Sequence, residues 1–428
     1  MTRKRKRIQT ARKEGAIRRF FSILGPGVIT GAADDDPSGI ATYSIAGAQL
    51  GTSLLWTAFL TWPLMAAVQV ACAKIGMTTG QGLAGALQKK LPRWVLIAVV
   101  LALFAANTIN IAADLSGMAD AGAMLSGLNS HYFVVVFGVG IALATIKLRY
   151  AQIAATLKWL ALVLFAYVAT AFVVGPEWSA VLRDAFIPSL PKGREAWGTL
   201  VAILGTTISP YLFFWQASQE VEEEKKTGET RLADRQGATQ RELSDRRLDV
   251  GIGTFFSNMV MFFVILTTAL TLHRHGITHP QTSREVAEAL RPFGGRFTQI
   301  LYTAGLVGVG FLAIPTLSGS AAYALAETFR WRQGLDRRWG GAHYFYFTVI
   351  ASTALGIALD FLKVNAVKAL YWSAVVNGLL APFLLVGILI VASNRKLMQG
   401  QPISGLSRAV VGMTAALMFG AAIGMFVF

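Results

Sequence analysis

The run Asp34-Asp35-Asp36-Pro37-Ser38-Gly39 places three carboxylates beside a proline and a glycine, inside an otherwise apolar stretch. A second run, Thr206-Thr207-Ile208-Ser209-Pro210-Tyr211, interrupts another apolar stretch with hydroxyls and a proline. Proline lacks a backbone N–H and clashes with the carbonyl four residues earlier. It also pushes the preceding residue out of the helical region. Both stretches therefore read as helices broken near their middle, and Gly39 eases the unwinding in the first. Lipid cannot satisfy the freed carbonyls, so backbone of this kind must lie inside protein or line a cavity. An ionised aspartate at the bilayer centre costs about 3 kcal/mol on insertion scales. No Lys or Arg lies deep in an apolar stretch to neutralise it, and a cation that comes and goes is the fitting partner.

Successive residues of an intact helix point about 100° apart, so three consecutive aspartates cannot all face one ion. Asp36, at the break, is the best-placed direct ligand. Asp34 and Asp35 are expected to shape an entry vestibule, hold ligated water or bond locally to backbone, and Asp35 is counted among the candidate metal residues. The other candidate ligands are hard oxygens. They are the carbonyls freed at Ala33 and Thr206, the hydroxyls of Thr206 and Ser209, and the amide oxygen of Asn377, one turn beyond Ser373. Oxygen-only sites suit Mg²⁺, Ca²⁺ or Mn²⁺. One or two carboxylates with few other protein ligands fits Mg²⁺ in particular, which usually keeps several waters. Asn107, Asn110 and Asp114 share one helical face by their spacing. Two readings stay open for that stripe: structural hydrogen bonds between helices, or the lining of an aqueous ion path. His273, His275 and His279 look like a metal cluster but fall in a loop, and no histidine lies near the breaks.

Composition sets the elements that carry these residues. Of 428 residues 54% are hydrophobic and only 14% charged, with a mean hydropathy of +0.52. A soluble chain of this size needs about 25% charged residues, so a soluble enzyme and a disordered scaffold are both excluded. The single cysteine, Cys72, excludes a disulfide framework, a CxxC pair and a thiolate zinc site. Apolar stretches of about 17–25 residues mark membrane spans. Eleven are expected: 21–50 (broken), 52–72, 94–121, 132–148, 154–175, 197–219 (broken), 251–272, 298–326, 343–361, 366–391 and 405–427. With the N-terminus inside, 30 of the 39 Lys and Arg fall on the inner side and 9 on the outer. That bias predicts a multi-pass protein of the cell inner membrane, N-terminus cytoplasmic and C-terminus outside. The basic segment 1–20 reads as an anchor beside anionic lipid, not as a nucleic-acid arm, and no cleavable leader is expected. The insert 220–249 mixes nine acids with seven bases. It is expected to extend the sixth span into the cytoplasm and then run as a solvated loop or helix.

Pro37 and Pro210 stand 173 residues apart, and each opens a block of five spans. An odd number of spans per block inverts the second relative to the first. Paired interrupted helices at matching places in inverted halves point to a transporter with its site near the midplane. The expected organisation is a first repeat over 21–175, a second over 176–391 and an eleventh span within 392–428.

The chain resembles the Nramp family of divalent-metal transporters over nearly all of its membrane region. Gly25-Pro26-Gly27 precedes Asp36 as in that family's first span. The family's Asp-Pro-Gly-Asn is here Asp36-Pro37-Ser38-Gly39. Its Ala-x-x-Met-Pro-His is matched by Thr206, Ser209, Pro210 and Tyr211, and its Thr-Asp-Leu by Ala113-Asp114-Leu115. The resemblance implies an all-α integral membrane protein of LeuT-like fold, two inverted five-helix repeats plus an eleventh helix. It also implies import of a divalent metal as substrate, with Asp36 as a direct ligand. The departures carry a finer expectation. Ser209 replaces a soft thioether that favours transition metals. Gly39 replaces an asparagine ligand. Tyr211 and Gln216 replace two histidines, while Gly117 and Asn107 replace two acids. This pattern resembles the Nramp-related magnesium transporters, a branch with a wider site for a hydrated ion. It implies Mg²⁺ and Mn²⁺ transport without obligatory proton coupling, by a monomer in the bilayer that needs no cofactor and catalyses no reaction. The main rival is a proton-coupled Mn²⁺/Fe²⁺ importer. A Na⁺-coupled amino-acid carrier is weaker, because Asp36 would repel a substrate carboxylate. A diphosphate-binding membrane enzyme lacks its DDxxD spacing, and a channel is separated only by its currents.

Overall fold

The computed structural model describes residues 25–147, 162–190, 192–335, 339–362 and 364–428. The basic segment 1–20 and the first half of the expected fifth span lie outside them. The principal helices are α1 (Pro26–Asp34), α2 (Pro37–Leu50), α3 (Trp56–Thr79), α4 (Arg93–Ser126), α5 (Ser130–Lys147), α6 (Phe165–Val174), α7 (Arg194–Thr207), α8 (Pro210–Lys226), α9 (Gln240–Thr271), α10 (Thr298–Phe329), α11 (His343–Asp360), α12 (Ala366–Ala392) and α13 (Gly405–Val427). Eight helical stretches among the described residues are long and apolar enough to cross a membrane. The expected first span is divided into α1 and α2, and α6 is the described part of the fifth.

Both predicted breaks are present, and each follows from its proline. Pro37 and Pro210 occupy the first turn of α2 and α8, where a missing N–H leaves nothing unsatisfied. Asp36 caps α2, its carboxylate accepting from the Gly39 N–H at 2.7 Å. Ser209 holds the equivalent place before α8 but leaves that helix without a side-chain cap.

The half-helices sit at the centre of the bundle because glycines let backbones touch. α7 lies on α12, where a Cβ on Gly205 would fall 2.1 Å from the Ala374 carbonyl and one on Gly378 2.3 Å from the Val201 carbonyl. α1 lies along α9 in the same manner, a Cβ on Gly31 meeting the Gly253 carbonyl at 2.3 Å. Between helices in lipid there is no hydrophobic drive, and such close packing is the main source of association. α4 runs against α10, α11 and α12 and brings its polar stripe to the same centre.

The insert 220–249 extends the sixth span, then runs through a largely exposed loop into a helix, as expected. α8 continues through it to Lys226, and α9 begins at Gln240 with a capping box between Thr239 and Glu242. Between them Arg235 donates to the carbonyls of Gly80, Glu229 and Thr230, and the Gly237 N–H donates to Thr78. These bonds tie the insert to the end of α3, while residues 226–228 and 230–234 stay exposed. The α7–α12 contact gives a direct test of the packing. Gly205→Val is expected to lower stability by at least the roughly 1–3 kcal/mol of ordinary overpacking, read as a fall in the thermal unfolding temperature in detergent.

Candidate metal site at the broken helices

Asp34, Asp35, Asp36 and Asp114 are all buried, the most exposed being Asp35 at 5%. No Lys, Arg or His pairs with any of them among the described residues. The Asp36 carboxylate is held on both oxygens. Oδ1 caps α2 through Gly39, and Oδ2 accepts from Asn110 Nδ2 at 3.2 Å and from the Tyr211 hydroxyl at 3.4 Å. Asn110 is the junction of this cluster. Its Nδ2 also donates to Asp114 Oδ2 at 3.1 Å, and its Oδ1 accepts from Asn377 Nδ2 at 3.0 Å. Asp114 Oδ1 accepts from the Ser38 N–H at 3.2 Å. α2, α4 and α8 therefore each send a donor to the Asp36 carboxylate, and α12 joins them through the Asn377–Asn110 bond.

The cluster leaves acceptors over. Asn377 Oδ1 and Asp34 Oδ1 are buried without a hydrogen-bond partner. A buried acceptor left alone is unfavourable. Among the described residues no three His, Cys, Asp or Glu side chains assemble around one point. Gly39 adds room. A Cβ there would stand 3.1 Å from Thr206 Oγ1 and 3.4 Å from Asp36 Oδ1, so a side chain at 39 would crowd the gap between the two breaks.

Other expected residues have different surroundings. The Ala33 carbonyl accepts from the Tyr211 hydroxyl at 2.9 Å. The Thr206 carbonyl accepts from Ser209 Oγ at 2.6 Å, and that hydroxyl also lies 2.8 Å from the Gly205 carbonyl. Ser209 is thus folded back on its own helix. Asn107 turns to α10, donating to the Leu317 carbonyl and Ser320 Oγ, and is not brought to Asp36. Asp34 and Asp35 turn to Ser257 on α9. His273, His275 and His279 each bond elsewhere, to Ala48, Thr271 and Glu195.

Sequence reasoning missed Ser257 and the cluster around Arg246. Arg246 meets Glu220 at 2.8 Å, Asp249 at 2.6 Å, and Glu223. The fully buried Asp249 in turn accepts from the N–H groups of Gly25, Gly27 and Val28, at 2.8, 2.8 and 3.1 Å. A carboxylate from α9 therefore caps α1, whose own N-cap, Gly25, offers no side chain. The signal in the sequence was Asp249 itself, an acid standing against the first apolar turn of a span. At the opposite ends of α2 and α7 a cavity of about 320 Å³ is lined by Ile45, Gln49, Glu195, His279, Tyr371 and Val375. Asp36 is not among its walls.

Two half-helix pairs crossing beside a buried carboxylate define a multi-pass membrane transporter of LeuT-like fold. The MhsT structure in complex with L-phenylalanine superposes with a TM-score of 0.54 at 14% identity, covering 92% of this chain and 98% of that one. The *Eremococcus coleocola* manganese transporter superposes with a TM-score of 0.76 at 16% identity, over 97% and 90% of the two chains. The chain belongs to the Nramp family of divalent-metal transporters, matching its description, natural resistance-associated macrophage protein-like, over residues 27–428. A similar protein is the divalent metal cation transporter MntH of Caldanaerobacter subterraneus subsp. tengcongensis, 24% identical over 388 residues, 90% of this chain and 87% of that one.

The Asp249 cap generates one prediction. Asp249→Ala leaves the N–H groups of Gly25, Gly27 and Val28 without their acceptor and Arg246 short of a partner. Breaking a buried pair in this way costs roughly 3–5 kcal/mol, and a clear fall in thermal unfolding temperature in detergent is expected. An unchanged temperature would mean that α1 is held by its glycine contacts alone.

Proposed function

We propose that this protein carries Mg²⁺ and Mn²⁺ across the lipid bilayer into the cytoplasm by alternating access, with no obligatory proton coupling. The ion binds partly hydrated between the broken centres of the first and sixth spans. The observation that carries this reading is Asp36, a buried carboxylate with no basic partner among the described residues, linked through Asn110 to Asn377, whose Oδ1 is buried and unpaired. Asp36 and Asn377 Oδ1 bind the ion directly or through one water, with the carbonyls of Ala33 and Thr206 beside them. Ser209 orients the Thr206 carbonyl, and Asp35 acts from the far side of the break. Asn110, Asp114 and Tyr211 position Asp36, and Asn107 ties the path to α10. Hard oxygen without sulfur favours Mg²⁺ and Mn²⁺ over softer metals. Divalent-metal transport accords with the name of the MntH relative.

With the N-terminus inside, the cavity beside Gln49 and Tyr371 opens outward and the Arg246 cluster closes the cytoplasmic end. Rocking of α1 and α8 away from α9 releases that cluster and frees the ion inward. The working unit is a monomer, since every group proposed to hold the ion comes from one chain. The hydrogen-bond partners of Asp36 are amides and a phenol, none of which exchanges a proton readily near neutral pH.

Reconstitution in liposomes tests the reading. Mg²⁺ and Mn²⁺ uptake is expected without accompanying acidification of the lumen, and Asp36→Ala is expected to nearly abolish it while the protein still purifies as a folded monomer. Acidification in proportion to metal uptake would establish the proton-coupled rival. A second variant addresses selectivity. Ser209→Met brings a thioether to the edge of the site, and competition by Cd²⁺ against Mg²⁺ is expected to strengthen. Unchanged competition would mean that position 209 does not face the ion.

A further inference from the structure

Asp34 and Asp35 form a pair of their own on the opposite side of the break from Asn110 and Asn377. Ser257 Oγ lies 2.5 Å from Asp34 Oδ2 and 3.3 Å from Asp35 Oδ1, so one hydroxyl serves both carboxylates. Asp34 is fully buried, and its second oxygen, Oδ1, has no hydrogen-bond partner. The pair also stands at the C-terminal end of α1, where Asp34 is the last helical residue and Asp35 the C-cap. The carbonyl end of a helix carries partial negative charge, which adds to the two carboxylates. Two buried carboxylates at the negative end of a helix, with no Lys, Arg or His paired to them among the described residues, are open to charge balance by a bound cation. Half-helix C-terminal ends are suited to cations for the same reason.

A separate feature lies on the neighbouring α3. Thr61 donates to Asn258 Oδ1 at 2.7 Å, and Asn258 Nδ2 lies 3.6 Å from Met65 Sδ, so this face of α3 meets α9 beside Ser257. Gln69, one turn further along that face, is buried, and neither its amide oxygen nor its nitrogen has a partner.

We infer that Asp34, Asp35 and Ser257 form a second cation station, distinct from the Asp36 site, which takes a divalent ion of the transported class on its way along α1. The inference rests on the reading that Asp36 holds the transported ion, and adds a second position to it. Two carboxylates and a hydroxyl supply hard oxygens, and a doubly positive ion balances both charges. Ser257 is a positioning residue that orients the two carboxylates from α9. The station lies on the contact between α1 and α9 that runs from the Asp249 cap through Gly31 and Gly253, so an ion there bridges the two elements whose separation frees it.

Equilibrium dialysis of the full-length protein in detergent against Mn²⁺ alone tests this. The wild type is expected to hold two Mn²⁺ per chain at saturation, Asp34→Asn one, and Asp36→Asn one. Ser257→Ala, which leaves both carboxylates and guards against a misfolded Asp34 variant, is expected to raise the concentration for half-filling of the second site roughly tenfold, as loss of an orienting partner does. A wild type that holds one Mn²⁺, lost in Asp36→Asn and kept in Asp34→Asn, overturns the second station and leaves the Asp36 site standing. One Mn²⁺ lost in Asp34→Asn but kept in Asp36→Asn supports the station and overturns the Asp36 site.

Discussion

A carboxylate buried in a membrane bundle, with no basic neighbour among the described residues, is the constraint on which the rest of this structure turns. Asp36 is fixed before any ion arrives. The Gly39 N–H holds one oxygen, Asn110 and Tyr211 hold the other, and Pro37 keeps the backbone from closing over the gap. These neutral hydrogen bonds orient the charge without cancelling it. Asn110 reaches Asp36, Asp114 and Asn377 at once, so the position of one carboxylate is coupled to three helices. A site preorganised in this way spends little conformational freedom on binding.

The same carboxylate chemistry recurs at the N-terminus of α1. Asp249 caps that helix from α9 and is itself held by Arg246, which also meets Glu220 and Glu223 at the end of α8. α1 and α8, the half-helices on one side of the two breaks, are thereby joined to α9 through one guanidinium. Between this cluster and Ser257 the α1–α9 contact is made by glycines with no room for a Cβ. Contacts of that kind are either closed or open, with little in between, which suits a barrier that must release an ion in a discrete step.

The fold was legible in the sequence because its main signals are strong and local. Long apolar runs, two prolines inside them and three acids beside one proline need no tertiary knowledge to read. The site was legible in its donors but not in its pairings. Spacing put Asn107, Asn110 and Asp114 on one face, yet a helix face is wide enough to touch two neighbours. Asn107 meets α10 while Asn110 and Asp114 meet α2 and α12. Ser209 was read as facing the gap, but a serine at a break can bond its own helix, as this one does. The insert 220–249 shows its mixed charges in the sequence but not their pairings. Which acid meets which base depends on the approach of α1, α8 and α9, and no local pattern in the sequence encodes that.

Diffraction from crystals soaked in Mn²⁺, recorded at a wavelength where the metal scatters anomalously, tests the central claim most directly. An anomalous peak is predicted in the gap between the first and sixth spans, beside the Asp36 carboxylate and Asn377 Oδ1, with density for water completing its shell. Mn²⁺ bound only elsewhere, with the space beside Asp36 filled by protein atoms, would contradict the account.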